Sequence, residues 1–375
     1  MQTNANLSAI SGIISTLQSI QSLSDVVGQE VSSQNGVNYR RRQRNEMQFT
    51  IVRSKNYSSR LPTEILAQIF LCCIPEGNWK PVPRRAPMLL TAVCRRWREV
   101  ALDIPDLWRR LQFNAGYGDW QKRALCYDSC LKRSRGRQLS LTLECYDDNL
   151  TELQSLLRPY VNQVSSLTVR IFSGICCPLA AADFGGLNEF VIHGFYPVLA
   201  VSESIGQLPP NVRSLKLKNV ALTVHVLSSF KPLSWAGLTN LELILDGPNP
   251  FAQLLRRCPN LSSLTIVGKF TAIQTSKAFI HPKLQTFRIS GNLHVDSIDK
   301  FKAITLPNLR AFEARNTGQW PHEDFKAFLT RSQCRLESLL FSGGVVITNG
   351  QRAEYVALFP SLELSTNPMR SGIFI

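Results

Sequence analysis

Arg170, His193, Lys216, Lys218 and Arg288 are the residues here whose types and spacing best suit surface chemistry. Each stands at an alternate position of a short apolar stretch, and Glu242, Glu313 and Arg315 occupy equivalent places. Cations held side by side on a rigid face recognise carboxylate or phosphate groups through charge-assisted hydrogen bonds. Ordinary solvated strand residues would look the same one at a time. Constellations for catalysis are missing. The five histidines, 193, 225, 281, 294 and 322, show no zinc spacing. Gly116-x-Gly118 is not followed by the rest of a phosphate loop or a dinucleotide fingerprint. No Gly-x-Ser-x-Gly elbow occurs. The expectation is a non-catalytic binding protein with no metal and no cofactor.

The elements that must hold these residues repeat. VSSLTV (164), LNEFVI (187), VRSLKL (212), LTNLEL (238), LSSLTI (261), LQTFRI (284), LRAFEA (309) and LESLLF (336) all read apolar-x-x-apolar-x-apolar. Proline precedes the first apolar position by two residues at Pro210, Pro259, Pro282 and Pro307, and Pro360 does the same before Leu362. Glycine follows the last apolar position by two at Gly194, Gly268, Gly291 and Gly343. Self-similarity at such a period marks a stacked array, in which one repeat cannot bury its leucines but neighbours can. Pattern and period resemble leucine-rich repeats over about residues 138–364. The resemblance implies an irregular solenoid with parallel strands on a concave side and helices or loops on the convex side, such as a helix for FAQLLRRC at 251–258. Asn or Cys after the strand, usual in that family, appears only as Asn292. An ordinary α/β domain is the alternative. With the apolar positions inward, alternation turns Thr168 and Arg170, Val191 and His193, Lys216 and Lys218, Glu242 and Ile244, Thr265 and Val267, Arg288 and Ser290, and Glu313 and Arg315 outward.

Net charge is +15, and residues 1–140 carry 21 basic against 10 acidic side chains. An acidic protein, a nucleic acid or a membrane surface would be attracted to such a region, or it is simply solvated. Nucleic-acid binding is disfavoured, because Trp97 and Trp108 sit at core-like positions rather than on an exposed basic stripe. Ten cysteines without a Cys-x-x-Cys pair read as reduced, mostly buried thiols. The best membrane candidate, Leu7 to Val27, is rich in Ser and Gln and contains Gly12 and Asp25. A cytoplasmic or nuclear protein without membrane contact is expected.

Residues 1–55 read as a short amphipathic helix around Ile10 to Val27 and a basic, partly disordered linker. Its RRRQR run is either a nuclear address or a solvated linker. LPTEILAQIF begins a helix over 61–73, with Pro62 at a position that needs no N–H. Ile65, Leu66, Ile69 and Phe70 share its apolar face. Four prolines keep the loop at 74–87 from being helical. Residues 88–101 are expected as one helix, with Leu89, Leu90, Val93 and Trp97 on one face. IPDLWRRLQF follows as a Pro-started turn, and LSLTLEC (139–145) as a strand.

LPTEILAQIF, then VCRRWREVA, then DLWRRLQF: this order resembles the F-box family. LKRSRGRQLSLTLE also looks like the lead into the first strand of fungal F-box proteins. The loop between the two helices is longer and richer in proline than in compact F-boxes. The resemblance implies domains at 56–115 (F-box-like, helical), 116–137 (connecting helix) and 138–375 (repeats), an α+β to α/β chain. It also implies docking on a Skp-type adaptor and through it a cullin, with the repeats holding a protein target for ubiquitination. Adaptor contacts would then come from Leu61, Pro62, Ile65, Leu66, Ile69, Phe70, Leu89, Leu90, Val93 and Trp97. The alternative makes all ten intramolecular core; a division is expected, with Trp97 and Val93 mainly core and Leu61, Pro62, Ile65 and Leu66 partly in adaptor contact. The candidate target face is Arg170, His193, Lys216, Lys218, Glu242, Arg288, Glu313 and Arg315. The alternative is a repeat-based scaffold whose F-box-like part takes no role in ubiquitination.

Overall fold

Apolar residues three and four apart, started by an extended proline, open the described chain as a helix. The computed structural model describes residues 61–83, 85–116, 119–146, 150–172, 181–194, 205–206, 208–222, 235–245, 251–268, 279–291, 301, 304–317 and 320–367. The expected N-terminal helix and basic linker lie outside them. The chain divides into two units, residues 1–143 with 151–164, and residues 144–150 with 165–375.

In the first unit α1 spans Thr63–Cys72. Pro62 keeps ψ at 150°, so the helix begins one residue after it. The helix expected over 88–101 is two helices, α2 Met88–Val93 and α3 Arg95–Asp103. Cys94 between them is extended, and its Sγ accepts the Trp97 amide at 3.5 Å, which makes it the N-cap of α3. A 3₁₀ turn at Pro105–Trp108 leads into strand β1, Arg110–Asn114, where only a turn was expected. Helix α4, Trp120–Arg133, follows, with the Asp119 carboxylate accepting the Lys122 amide at 3.1 Å as its cap. Strand β2 is Leu139–Cys145, and helix α5 is Leu150–Leu157.

The proline-rich loop is tied down by side chains that its composition did not advertise. Trp79 is buried and meets Trp108 edge-on with centroids 6.0 Å apart. Its carbonyl accepts the Gln112 amide of β1 at 2.8 Å. Asn78 donates to Thr142 Oγ1 at 2.9 Å and accepts from Ser140 Oγ at 3.0 Å.

The second unit is built from the repeats. Its strands are β3 Val164–Ile171, β4 Glu189–Gly194, β5 Ser214–Leu222, β6 Asn240–Leu245, β7 Ser263–Gly268, β8 Phe279–Ile280, β9 Thr286–Ser290, β10 Ile304–Thr305, β11 Ala311–Arg315, β12 Ser338–Ser342 and β13 Glu363–Asn367. They pair in parallel in the order β3-β4-β5-β6-β7-β9-β11-β12-β13, and β8 pairs with β10 in a separate small ribbon. Return segments include α6 Phe251–Arg257, α7 His322–Ser332 and α8 Asn349–Leu358. This is a repeat-like, solenoid-like α/β arrangement that does not close into a barrel.

The register explains the apolar pattern. Leu167, Phe190, Leu215, Leu241, Leu264, Phe287, Phe312, Leu339 and Leu364 lie side by side across the sheet. All but Leu364 are buried. Each buried leucine or phenylalanine contributes about 1.5–3 kcal/mol through area removed from water. The residue before each strand, or its first residue at Glu363, repeats a second bond. The amides of Asn188, Arg213, Thr239, Ser262, Gln285, Arg310, Glu337 and Glu363 donate to the carbonyls of Ser165, Asn188, Arg213, Thr239, Ser262, Gln285, Arg310 and Glu337 at 2.7–2.9 Å. Asn211, Asn260 and Asn308, each directly after a marker proline, donate through Nδ2 to the carbonyls of Gly185, Ala236 and Pro282 in the preceding repeat. Glycine stands at strand ends because the preceding repeat's backbone passes too close. At Gly291, φ is +122°, and a Cβ would fall 2.2 Å from the Gly268 carbonyl oxygen.

Candidate functional site

Strand alternation brings six of the eight expected target-face residues to one groove in the second unit. Lys218, Glu242, Arg288, Glu313, Arg315 and His193 line it, with Ile244 and Val267 as an apolar floor. Its volume is about 410 Å³. Arg170 and Lys216 do not line it. The register places Glu242, Thr265, Arg288 and Glu313 in one row across β6, β7, β9 and β11.

The groove lies at a break in the ladder. Lys216 pairs with Glu242, but the next pair is Ala221 with Ile244, so residues 217–220 stand opposite Leu243 alone. Asn219 takes the excess with φ at +58°. Bulges of this kind re-aim side chains, and this one adds Asn219 to the groove wall beside the outward Lys218, which keeps its register with His193. In KLKNVAL two polar residues, Lys218 and Asn219, stand side by side and the alternation slips by one, which with the tolerance of Asn for the left-handed region was the signal available.

The basic cluster read from the sequence is largely neutralised. Arg170 meets Glu144 at 3.5 Å, Lys216 meets Glu189 at 2.8 Å, and Arg288 meets Glu313 at 3.2 Å. Arg315 also pairs with Glu313. Glu313 and Val191, both expected to face outward, are buried at 8 % exposure. Burial pushes the Glu189 carboxyl up, but the Lys216 and Ser166 hydrogen bonds outweigh it and hold it below the usual range. Burial, reinforced by the Lys218 and Arg170 charges, pushes His193 down to about 4, so its ring is neutral near pH 7. Among the described residues, Lys218 is the groove cation without a carboxylate partner. Glu144 and Glu189 were missed as partners, although both stand at alternate positions of strand patterns that the sequence displays.

In the first unit the ten apolar candidates separate sharply. Leu61, Leu66, Ile69, Phe70, Leu89, Leu90, Val93 and Trp97 are buried within the chain itself. Pro62 is exposed, and Ile65 is 37 % exposed. The Trp97 ring packs on Phe70 with centroids 4.9 Å apart, and its Nε1 has no partner. Arg96 reaches back from α3 to the Leu61 carbonyl and fixes the chain's entry into α1. Residues 58–114, which hold α1, α2, α3 and β1, match the family profile described as F-box-like. The chain carries an F-box-like domain there. Comparison with curated proteins finds none that matches it. Within the F-box-like domain, the outward surface of α1 and its cap is Pro62, Thr63, Glu64, Ile65, Gln68 and Cys72, while Leu61 and Leu66, expected to share in partner contact, are buried within the chain.

Among the described residues, one group of possible metal ligands stands apart from the groove. His322, Glu323 and Glu354 come within 4.8 Å of one another in the second unit, but Lys326 occupies the Glu354 carboxylate. His322 Nδ1 lies 2.9 Å from the Tyr355 hydroxyl, which also accepts the Trp320 indole N–H at 2.9 Å. The cluster fastens α7 to α8. No disulfide joins the eight described cysteines. Among the described residues, no helix is long and apolar enough to cross a membrane.

Proposed function

We propose that this protein is the substrate-recognition subunit of a Skp–cullin–F-box ubiquitin ligase. The F-box-like domain docks on a Skp-type adaptor, and the leucine-rich-like repeats hold a target protein. The observation that carries this reading is the F-box-like match over residues 58–114, followed in the same chain by a repeat sheet with a charged groove. The receptor forms no covalent bond. It raises the local concentration of target lysines near a ubiquitin-loaded conjugating enzyme. Its place of action is the cytoplasm or the nucleus.

Adaptor contact on this reading centres on Pro62 and Ile65, the candidates with surface to offer. The test is co-expression of the full chain with a Skp-type adaptor, followed by size exclusion. A stoichiometric complex is expected, and Ile65→Asp should abolish it without unfolding the chain. Elution of the wild-type chain alone at micromolar concentration would overturn the reading. One observation favours a second reading, a repeat scaffold with an F-box-like part that binds no adaptor: eight of the ten candidate contacts are already covered within the chain.

A further inference from the structure

The groove is electrically uneven, and the unevenness has an order. Lys218 stands on β5 at one wall. Glu242 and Ile244 on β6 and Val267 on β7 form the middle. Arg288 on β9 and the Glu313–Arg315 pair on β11 form the other wall. Glu313 touches both arginines through their Nε atoms, so the outer Nη groups keep donors for another acceptor. Two guanidiniums around one carboxylate leave that wall net positive.

We infer that the groove takes an extended segment of the target in which an apolar side chain lies between two separated carboxylates. The inference rests on the reading of the repeats as the target-holding part. One carboxylate meets Lys218, the other meets the Arg288 and Arg315 Nη groups, and the apolar side chain rests on Ile244 and Val267. Four strand steps at about 4.8 Å separate the two walls by roughly 19 Å, the reach of about six extended residues. Charge complementarity also sets what is refused. Glu242 lies between the cationic walls with no ion-pair partner among the described residues, so an unbroken acidic run meets repulsion at its centre. At the Lys218 wall a phosphate, which favours several convergent arginines, finds a single lysine among the described residues.

The test uses the full chain and fluorescence polarisation. The probe is a labelled peptide of about ten residues with a central leucine and an aspartate about three residues to each side. Binding is expected, with a loss of about tenfold when either aspartate becomes asparagine. Lys218→Glu should lose the same factor, and a probe carrying lysine in place of the facing aspartate should recover it. Val267→Arg should weaken every probe, while Arg170→Gln, outside the groove, should change nothing. Equal binding of the asparagine peptide, tighter binding of a version with phosphoserine in place of the Lys218-facing aspartate, or no binding of any probe at about millimolar concentration would each overturn the inference. The adaptor complex is scored separately by size exclusion. A chain that holds the adaptor but ignores the peptides sinks this inference alone. One that binds the peptides without an adaptor sinks the ligase reading alone.

Discussion

Replacing Trp97 and Trp108 by phenylalanine should have unequal effects, although both side chains are fully buried in the same unit. Either change removes roughly 40 Å³ of ring, which at about 24 cal/mol per Å³ is about 1 kcal/mol of cavity. The polar atoms decide the rest. Trp97 Nε1 has no partner, so Trp97→Phe relieves a buried donor worth about 1–3 kcal/mol and offsets its cavity. Trp108 Nε1 donates to the Ala101 carbonyl at 3.0 Å. That carbonyl lies in the last turn of α3, and the residue four further on, Pro105, has no N–H to give it. Trp108→Phe therefore strands a buried acceptor, adding about 1–3 kcal/mol to the same cavity. The expected totals are under about 1 kcal/mol for Trp97→Phe and about 2–4 kcal/mol for Trp108→Phe. Native-state hydrogen exchange over α1 to β1 reads the local opening free energy without assuming that a two-unit chain unfolds in one step. The gap, at least about 1 kcal/mol, corresponds to a ratio of opening constants of about fivefold or more. Equal losses in the two variants would refute the reasoning. A large loss for Trp97→Phe would mean that its indole N–H is satisfied.

Gly291→Ala should lower the thermal midpoint of the second unit, because φ is +122° and the new methyl meets the Gly268 carbonyl oxygen. About 2 kcal/mol or more of destabilisation is expected. Gly77→Ala, with nothing within 4 Å, should be neutral in the same melt. His193 gives a pH signature. Its folded value of about 4 lies below the unfolded reference of 6.5, so the unfolded state binds the proton first as pH falls. Its share of stability is complete above about pH 6.5 and is lost progressively down to about pH 4. The melt should fall between pH 7 and pH 5 by more in the wild type than in His193→Gln, and an equal fall would contradict the assignment. Glu313→Gln should weaken the fixing of Arg288 and Arg315 and reduce binding of the doubly acidic probe at the wall they form, and unchanged binding would argue that Glu313 does not position them.

Period and pattern in the sequence determined most of the second unit. Apolar residues two and three apart can be buried only by a neighbour with the same spacing, so eight matches already implied a stacked parallel sheet. The order of Leu-Pro helix, Cys-Arg-Arg-Trp helix and Pro-Asp-Leu-Trp turn likewise marked the first unit, where the F-box-like match falls. The break at Cys94 was not legible, because a cysteine in an apolar-periodic stretch carries no stop signal. Nor was the anchoring of the proline-rich loop, which depends on Trp79 meeting Trp108 from far along the chain.

For the candidate sites, the sequence supplied which residues stand at outward positions, since strand alternation is local. It could not supply their charge state as a group. Glu144, Glu189 and Glu313 cancel cations that lie one repeat or one strand position away, and such pairings exist only once the register is set. The bulge that adds Asn219 to the groove beside Lys218 is a matter of how β5 and β6 fail to match, which neither strand encodes alone. The apolar candidates of α1 show the same limit. Periodicity names a face but cannot say which part of it a neighbouring helix will cover. Only packing against α3 left Pro62 and Ile65 outside and took Leu61 and Leu66 in.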